Sequence, residues 1–120
     1  MPDDDPTYEI IGCAMRVHNE LGPGLREKPY ENALSFDFEE QDISFDHQPD
    51  FPIMYRGRRA GYCTPDFVVR KQTVVDTKSI PNIGDSEMAQ MLNYLRISKI
   101  RLGLILNFRN PKLEWKRVVL

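Results

Sequence analysis

The sequence contains few cysteines, no long apolar run and no internal repeat. Its two cysteines, Cys13 and Cys63, lie far apart without a CxxC pair, which gives no indication of a zinc knuckle or a disulfide framework. We expect both to be reduced residues in or near the core. No apolar stretch reaches the length of a membrane span, and the first residues lack the basic and apolar regions of a signal peptide, so we expect a cytoplasmic protein with no membrane partner.

The length and composition are those of an ordinary globular protein. The chain has 120 residues, of which 41% are hydrophobic and 28% are charged. That length is enough to bury one core but too short for two independent ones. We therefore expect a single domain over residues 1–120, with residues 1–6 frayed.

The net charge of −2 hides an asymmetry along the chain. Residues 1–50 carry 13 acidic and 3 basic side chains, whereas residues 51–120 carry 5 acidic and 13 basic ones. The basic residues of the second half are clustered, for instance at Arg56, Arg58 and Arg59. Such clusters can form a phosphate-binding surface, although solvated turns and helix ends explain each cluster equally well when it is considered alone.

Hydrophobic spacing predicts three helices. The first runs from about Tyr8 to Glu20 with Thr7 as its N-cap, and the second runs from about Glu27 to Gln41 with Pro29 in its first turn. The third extends to about Ser98 and is capped by Asp85 or Ser86.

The remaining apolar segments predict strands. An interrupted edge strand is expected over residues 43–55 and a further segment over residues 59–63, followed by a hairpin of residues 67–69 and 73–75. Two more strands are expected over residues 101–107 and 113–119, and the first of these lacks alternation, which is typical of a strand covered on both faces. The order of elements predicts an α/β fold, with a mixed sheet and helices on its faces.

Charged residues stand at unusual positions on the predicted hairpin. Asp66 opens its first strand, and Asp76 and Lys78 extend the second strand directly after Val74 and Val75. Because side chains alternate along a strand, Asp76 and Lys78 leave the same face. Asp66 reaches that face as the cross-strand partner of Asp76 only if the hairpin loop has an odd number of residues or contains a bulge.

Two explanations of these charges remain open. The first is a structural ion pair at the end of a strand, where charged side chains are common. The second is a phosphodiesterase site, in which Asp66 and Asp76 bind Mg²⁺ or Mn²⁺. Lys78 would then orient or deprotonate the attacking water, or offset charge in the transition state.

Two helical rows of polar residues lie close to these elements in the predicted order. Glu27 and Glu31 are four residues apart on the second helix, which is mildly unfavourable unless a cation lies opposite. Gln90 and Tyr94 share a row on the third helix that does not coincide with its apolar stripe. That row therefore faces something other than the main core, or simply solvent.

Taken together, these residues resemble a known family. Pro65-Asp66, Asp76-Thr77-Lys78 and the helix with Gln90 and Tyr94 resemble the PD-(D/E)XK nuclease superfamily, including the Q-x-x-x-Y helix of its recombination-exonuclease branch. The segment from Gly24 to Tyr30, Gly-Leu-Arg-Glu-Lys-Pro-Tyr, resembles the signature of the small GxxExxY proteins within that superfamily. Three motifs in the same order on the matching elements are far more specific than one short pattern.

The resemblance implies a fold and an activity. The fold would be a restriction-endonuclease-like core, with a mixed central sheet of about five strands flanked by three helices. The activity would be Mg²⁺- or Mn²⁺-dependent hydrolysis of nucleic acid, which we expect to be DNA, and a homodimer is compatible with it. The implied site residues are the metal ligands Asp66, Asp76 and Glu27, the catalytic lysine Lys78, and Gln90 and Tyr94, which steady the site or the bound strand.

The chain departs from the GxxExxY pattern at a few positions. It carries Asp76 where that group usually has glutamate, Thr77 where the group has an apolar residue, and Pro29 inside the signature segment. These differences keep open an alternative from another functional class. In that alternative the chain is a catalytically inactive nucleic-acid-binding or protein-interaction module on the same fold.

Overall fold

The computed structural model describes residues 5–120 of the chain. The helices in that part are α1 (Tyr8–Leu21), α2 (Glu27–Glu40) and α3 (Asp85–Ser98). The strands are β1 (Phe45–His47), β2 (Phe51–Tyr55), β3 (Arg58–Cys63), β4 (Phe67–Val69), β5 (Thr73–Lys78), β6 (Leu102–Asn107) and β7 (Glu114–Val119). None of the helices in residues 5–120 has the length and apolarity that crossing a membrane requires.

Five strands form a mixed sheet in the order β1-β4-β5-β6-β7, while β2 and β3 pair separately as a two-stranded sheet. The pairing of β5 with β6 is parallel, and α3 supplies the crossover that a parallel pair needs. The other pairs are antiparallel. This arrangement confirms the predicted α/β fold with a mixed sheet of five strands and three helices.

The sheet separates two apolar layers. Residues such as Val75 and Leu104 pack against α1 and α2 on one face, while Val74 and Ile105 pack against α3 on the other. Alternation along β5 and β6 sends successive side chains into the two layers. Strand β6 is therefore buried on both faces from Gly103 onward, as its apolar sequence without alternation predicts.

The region of residues 43–55 forms two strands in different sheets. Strand β1 lies at the edge of the main sheet beside β4, whereas β2 pairs with β3. Between them the backbone of Gln48 has a φ of 54°, and Pro49 follows, which ends β1. The predicted interruption and edge position are confirmed, but the change of sheet could not be predicted from the pattern.

The predicted cap of α1 is confirmed in position, whereas that of α3 is corrected. Thr7 stands at the N-cap of α1, but its hydroxyl donates to Asp5 Oδ1 at 2.8 Å instead of bonding the helix. The N-cap of α3 is Gly84, so the assignment to Asp85 or Ser86 was wrong. Gly84 has an extended backbone, and its N–H donates to Glu87 Oε1 at 2.7 Å. Of residues 1–6, which were expected to be frayed, residues 1–4 lie outside the described part of the chain.

Candidate active site

The hairpin of β4 and β5 brings Asp66 and Asp76 side by side. Its loop contains three residues, since Val69 pairs with Thr73 and Phe67 with Val75. The strand pairing ends at Phe67 and Val75, and Asp66 and Asp76 are the next residue on either side of this odd-numbered loop, the geometry that a shared face requires. The backbone N–H of Asp66 donates to Asp76 Oδ1 at 3.2 Å.

The carboxylate of Asp66 is held by Thr77. Asp66 Oδ2 accepts hydrogen bonds from the backbone N–H and from the hydroxyl of Thr77, both at 2.7 Å. Strand β4 starts only at Phe67, so no β4 residue lies opposite Thr77, and the Asp66 side chain supplies the acceptor instead. Within residues 5–120, Asp66 Oδ1 accepts no hydrogen bond, which leaves it available to a ligand.

Lys78 is the last residue of β5, and its side chain extends toward α3. Its Nζ is 2.9 Å from Asp76 Oδ2 and donates to Gln90 Oε1 at 2.7 Å. Alternation along β5 places Asp76 and Lys78 on the α3 side of the sheet, and the one-turn offset between Gln90 and Tyr94 directs both toward this pair. The polar row of α3 therefore faces the acidic end of β5 rather than solvent alone.

The charges at this site do not balance. Burial, followed by the nearby Asp66 carboxylate, raises the pKa of Asp76 to about 6 in spite of the opposing effect of Lys78. Burial also raises the pKa of Asp66 against the opposing effect of its bonds from Thr77. A simple ion pair would lower the pKa of its acid. The buried carboxylate of Asp76 and the half-buried carboxylate of Asp66 beside one ammonium instead leave an excess of negative charge.

The same charges act on Lys78 and Tyr94. Burial on its own would lower the pKa of Lys78, but the carboxylates of Asp76, Glu27 and Asp66 outweigh it and hold that pKa above its ordinary value. Lys78 is therefore a cation at neutral pH. Burial, with the charges of Asp76 and Asp66, raises the pKa of Tyr94, so this phenol stays protonated.

Helix α2 contributes two acids with different surroundings. Glu27 is exposed in the first turn, yet partial removal from water raises its pKa, as do Asp66 and Glu31, while Lys78 lowers it. Glu31 is buried, and its Oε2 lies 2.7 Å from His47 Nε2. Glu31 Oε1 also lies 3.6 Å from Lys28 Nζ, and Lys78 lies near Glu27, so each acid of the Glu27–Glu31 row has a cation close to it.

The loop before α2 is fixed by Tyr30. The buried Tyr30 hydroxyl donates to Gly22 O at 2.6 Å and accepts from the N–H of Leu25 at 3.0 Å. Its ring stacks on Phe108 with a centroid distance of 4.6 Å. Ser79, just after β5, donates to the carbonyl of Leu25. These contacts join the start of α2 to the end of β5, and so hold Glu27 near Lys78.

The donor chemistry at this site fits a hard divalent cation. Asp66 and Asp76 offer carboxylate oxygens in a partly dry environment with unbalanced negative charge, which a cation would relieve. Among the residues that the structure describes, no three His, Cys, Asp or Glu side chains are close enough to hold one ion. Glu27 therefore lies near the Asp66–Asp76 pair without joining it in one cluster. Mg²⁺ commonly uses only one or two carboxylates and keeps several waters, so two such ligands are sufficient.

Three neighbours of the site were not identified from the sequence. Thr77 binds Asp66, while His47 and Gln48 bind Glu31, with Gln48 Nε2 at 2.9 Å from Oε2. A polar residue within a buried strand could have indicated Thr77. The two residues of β1 and the following turn gave no signal, because their role depends on how β1 approaches α2. A cavity of about 510 Å³ between α1 and Trp115 contains none of the six predicted site residues.

Comparison with known proteins gives two matches. The family model of the PD-(D/E)XK nuclease superfamily matches residues 4–118. The fold is similar to the crystal structure of an alkaline exonuclease (LHK-Exo) from Laribacter hongkongensis, with a TM-score of 0.53 at 10% sequence identity. The alignment covers 71% of this chain and 51% of the exonuclease, so the chain corresponds to about half of that protein. No curated protein matches the sequence. The predicted restriction-endonuclease-like core is confirmed.

Proposed function

The chain belongs to the PD-(D/E)XK nuclease superfamily, and on that premise we propose that it is a metal-dependent nuclease that hydrolyses phosphodiester bonds of DNA. The observation that carries this proposal is the pair of carboxylates, Asp66 and Asp76, beside Lys78 at the carboxyl end of β5. The two carboxylates carry more negative charge than the Lys78 ammonium can offset. Such a set of groups is suited to phosphoryl chemistry with a divalent ion.

In this proposal Asp66 and Asp76 are the ligands of Mg²⁺ or Mn²⁺, and Glu27 of α2 adds negative charge near this pair. Thr77 fixes one oxygen of Asp66 and leaves the other for the ion. When bound, the ion supplies a more acidic water and offsets charge on the phosphate. The buried Asp76 contributes a charge whose repulsion from Asp66 favours cation binding.

Lys78 acts as a cation. Its raised pKa favours stabilisation of the charge that develops on the phosphate over removal of a proton from water. Gln90 fixes the ammonium through the bond at 2.7 Å, so the charge is already oriented before the substrate binds. Tyr94 remains a neutral phenol next to Asp76, where its hydroxyl can steady the site or the bound strand.

We also propose that the chain belongs to the GxxExxY group. Each motif residue has a physical role: Gly24 adopts a φ of +87°, Glu27 opens α2, and Tyr30 ties the loop to the core. Thr77, which stands where the group usually has an apolar residue, donates two hydrogen bonds to Asp66 and so has a role in the site. Two such sites would be needed to cut both strands of a duplex at one position, and a homodimer would provide them; the molar mass from light scattering tests this.

Cleavage assays test the proposal. Single-stranded, duplex and branched DNA would be incubated with Mg²⁺ or Mn²⁺ and with wild type, Asp76→Asn or Lys78→Met. We expect each variant to lose about 100-fold or more in rate, in line with loss of a charge that acts on the transition state. Asp42→Asn and Lys112→Met are matched controls, since both positions are exposed and carry no site contact.

The outcomes separate the alternatives. Activity that persists in both Asp76→Asn and Lys78→Met would remove these residues from the mechanism. DNA binding by the wild type without any turnover in either metal would favour the inactive binding module instead.

A further inference from the structure

The β2–β3 hairpin is separate from the main sheet and lies beside the proposed site. Its two strands pair only with each other. Phe51 packs against the apolar layer that contains Met91 and Leu95 of α3, which anchors the base of the hairpin. Cys63, the last residue of β3, lies three positions before Asp66 and is close enough to Tyr94 to affect its pKa. The base of the hairpin is therefore fixed next to the site.

The hairpin carries positive charge without acidic neighbours in its sequence. Residues 51–63 contain Arg56, Arg58 and Arg59 and no Asp or Glu. In the described part of the chain, none of these three arginines forms a salt bridge. By contrast, Arg16 pairs with Asp37 at 2.9 Å, and other arginines pair with Glu9 and Asp5. The hairpin guanidinium groups are thus available to bind anions outside the chain.

Large side chains accompany these arginines and are unusually exposed. Met54, Tyr55 and Tyr62 have relative exposures of 56%, 62% and 52%. Arg56 lies over the ring of Tyr55 at 5.1 Å from its centroid, and Arg59 lies over that of Tyr62 at 5.0 Å. Each tyrosine therefore has one ring face covered by a guanidinium group, and the exposed fraction of its side chain leaves room for a further planar group.

The strand register places part of this set on one face. Pro52 pairs with Tyr62, and after a register shift between Ile53 and Met54, Met54 pairs with Arg59. The extra residue on β3 at this shift brings Arg59 to the same face as Tyr62, Pro52 and Met54. Phe51, at the opposite face, contacts the α3 layer. The face opposite Phe51 therefore carries Tyr62 and Arg59. Tyr55 and Arg58 pair next to the turn, on the same face as Phe51 but beyond the anchored base, where both remain exposed.

We propose that the β2–β3 hairpin is an arm that binds a single-stranded segment of the nucleic acid. Bases would stack on Tyr55 and Tyr62, and Arg56, Arg58 and Arg59 would bind the adjoining phosphates. Stacking on a tyrosine ring requires a base that is not already stacked within a duplex. The inference rests on the proposed function in one respect: the bound nucleic acid would be passed to the site for cleavage, since the hairpin leads directly to Asp66.

Fluorescence anisotropy with a labelled single-stranded oligonucleotide in EDTA would measure binding without turnover. We expect the double variant Tyr55→Ala/Tyr62→Ala to weaken single-strand binding about ten-fold or more, and to affect duplex binding much less. Tyr55→Phe/Tyr62→Phe should retain the affinity because the rings remain. Phe36→Ala is the matched control, since Phe36 is also 62% exposed but lies on α2.

The arginines have a separate readout. The triple variant Arg56→Ala/Arg58→Ala/Arg59→Ala should reduce the slope of log affinity against log salt by about 2 on single strands, as expected for three lost phosphate contacts. Lys112→Ala, which is exposed and distant from the hairpin, should leave that slope unchanged.

Three results would overturn the proposal. The first is that the tyrosine double variant binds single strands with wild-type affinity. The second is that this variant loses affinity for duplex and for single strands equally. The third is that its DNA binding is unchanged while its molar mass falls, which would assign the arm to self-association. Failure of the proposed function would look different: the wild type would bind single strands through the arm but would cleave none of them. Conversely, cleavage that requires Lys78, together with wild-type binding by the hairpin variants, would remove only the arm.

Discussion

At the scale of single residues, the site depends on an imbalance of charge. Asp76 is 4% exposed, and its pKa of about 6 lies well above the ordinary value of 3.8. The cause is burial, followed by the charge of Asp66. Lys78 contacts Asp76 but cannot neutralise both acids, which is why a divalent cation is the simplest partner for this arrangement.

This imbalance predicts a pH dependence of stability in EDTA. Because the folded state holds the Asp76 proton more tightly than the unfolded state, its contribution is present below about pH 4 and is lost as the pH rises through about 6. The unfolding free energy of wild type minus that of Asp76→Asn should therefore fall by about 1–3 kcal/mol between pH 4 and pH 7.5. Urea denaturation at both pH values measures it.

Using the difference between the two proteins removes contributions from other acids, such as Asp5 and Glu9, whose pKa values are lowered. A difference that stays constant with pH, or that grows as the pH rises, would show that Asp76 is not a strained buried carboxylate.

Residue contacts could be predicted from the sequence only where they follow from alternation along one strand. The Asp76–Lys78 pair is such a case, because two positions on a strand share a face. The hydrogen bonds from Thr77 to Asp66 could not be predicted in this way, since they depend on where β4 begins. The contact between His47 and Glu31 likewise depends on the docking of β1 against α2.

At the scale of elements, α3 sits directly on β6. A Cβ atom built on Gly103 of β6 would meet Met91 Sδ at 2.5 Å and Met91 Cγ at 2.8 Å. Glycine at this position therefore allows the helix to lie close to the sheet. The same helix carries Gln90, which bonds Lys78, so the packing distance of α3 also sets the geometry of the site.

Gly103→Ala should destabilise the protein by about 1–3 kcal/mol, because the buried Met91 must move to make room for the methyl group. The variant should also lose cleavage activity as α3 shifts Gln90 away from Lys78. Urea denaturation and the cleavage assay measure the two effects.

Gly61→Ala on β3 is the control, since nothing lies within 4 Å of a Cβ there. We expect its stability to change by less than about 0.5 kcal/mol. Equal stability of Gly103→Ala and wild type would contradict the close packing of α3 on β6.

Element types were predictable because apolar spacing differs between helices and strands, as α1, α2 and β6 illustrate. Cap residues were less predictable. Gly84 is the N-cap of α3, and its N–H donates to the side chain of Glu87, a bond that the usual preference for Asp or Ser at N-caps does not reveal. The separation of β1 from β2 was also hidden, because both strands have short, similar patterns around Pro49.

At the scale of the whole molecule, two helices cover one face of the sheet, while α3 and the β2–β3 hairpin cover the other. The order of elements was sufficient to predict this mixed sheet, since a strand-helix-strand unit implies the parallel pair of β5 and β6. The basic second half of the sequence supplies the hairpin, β5 and α3. The acidic first half supplies Glu27 and Glu31 through α2.

We propose that residues 5–120 form one cooperative domain, because both apolar layers share the central strands β5 and β6. Urea unfolding followed by the fluorescence of Trp115, the one tryptophan, should then coincide with unfolding followed by far-UV circular dichroism. Two transitions with different midpoints would indicate separately folding units.

The cation site itself can be located by anomalous diffraction from crystals soaked in Mn²⁺, with no assumption about turnover. We predict an anomalous peak in contact with carboxylate oxygens of both Asp66 and Asp76, close to Lys78, and no peak there in crystals of Asp76→Asn. A peak elsewhere on the molecule, or none at Mn²⁺ concentrations that support cleavage, would contradict the assignment of these residues as the metal-binding centre.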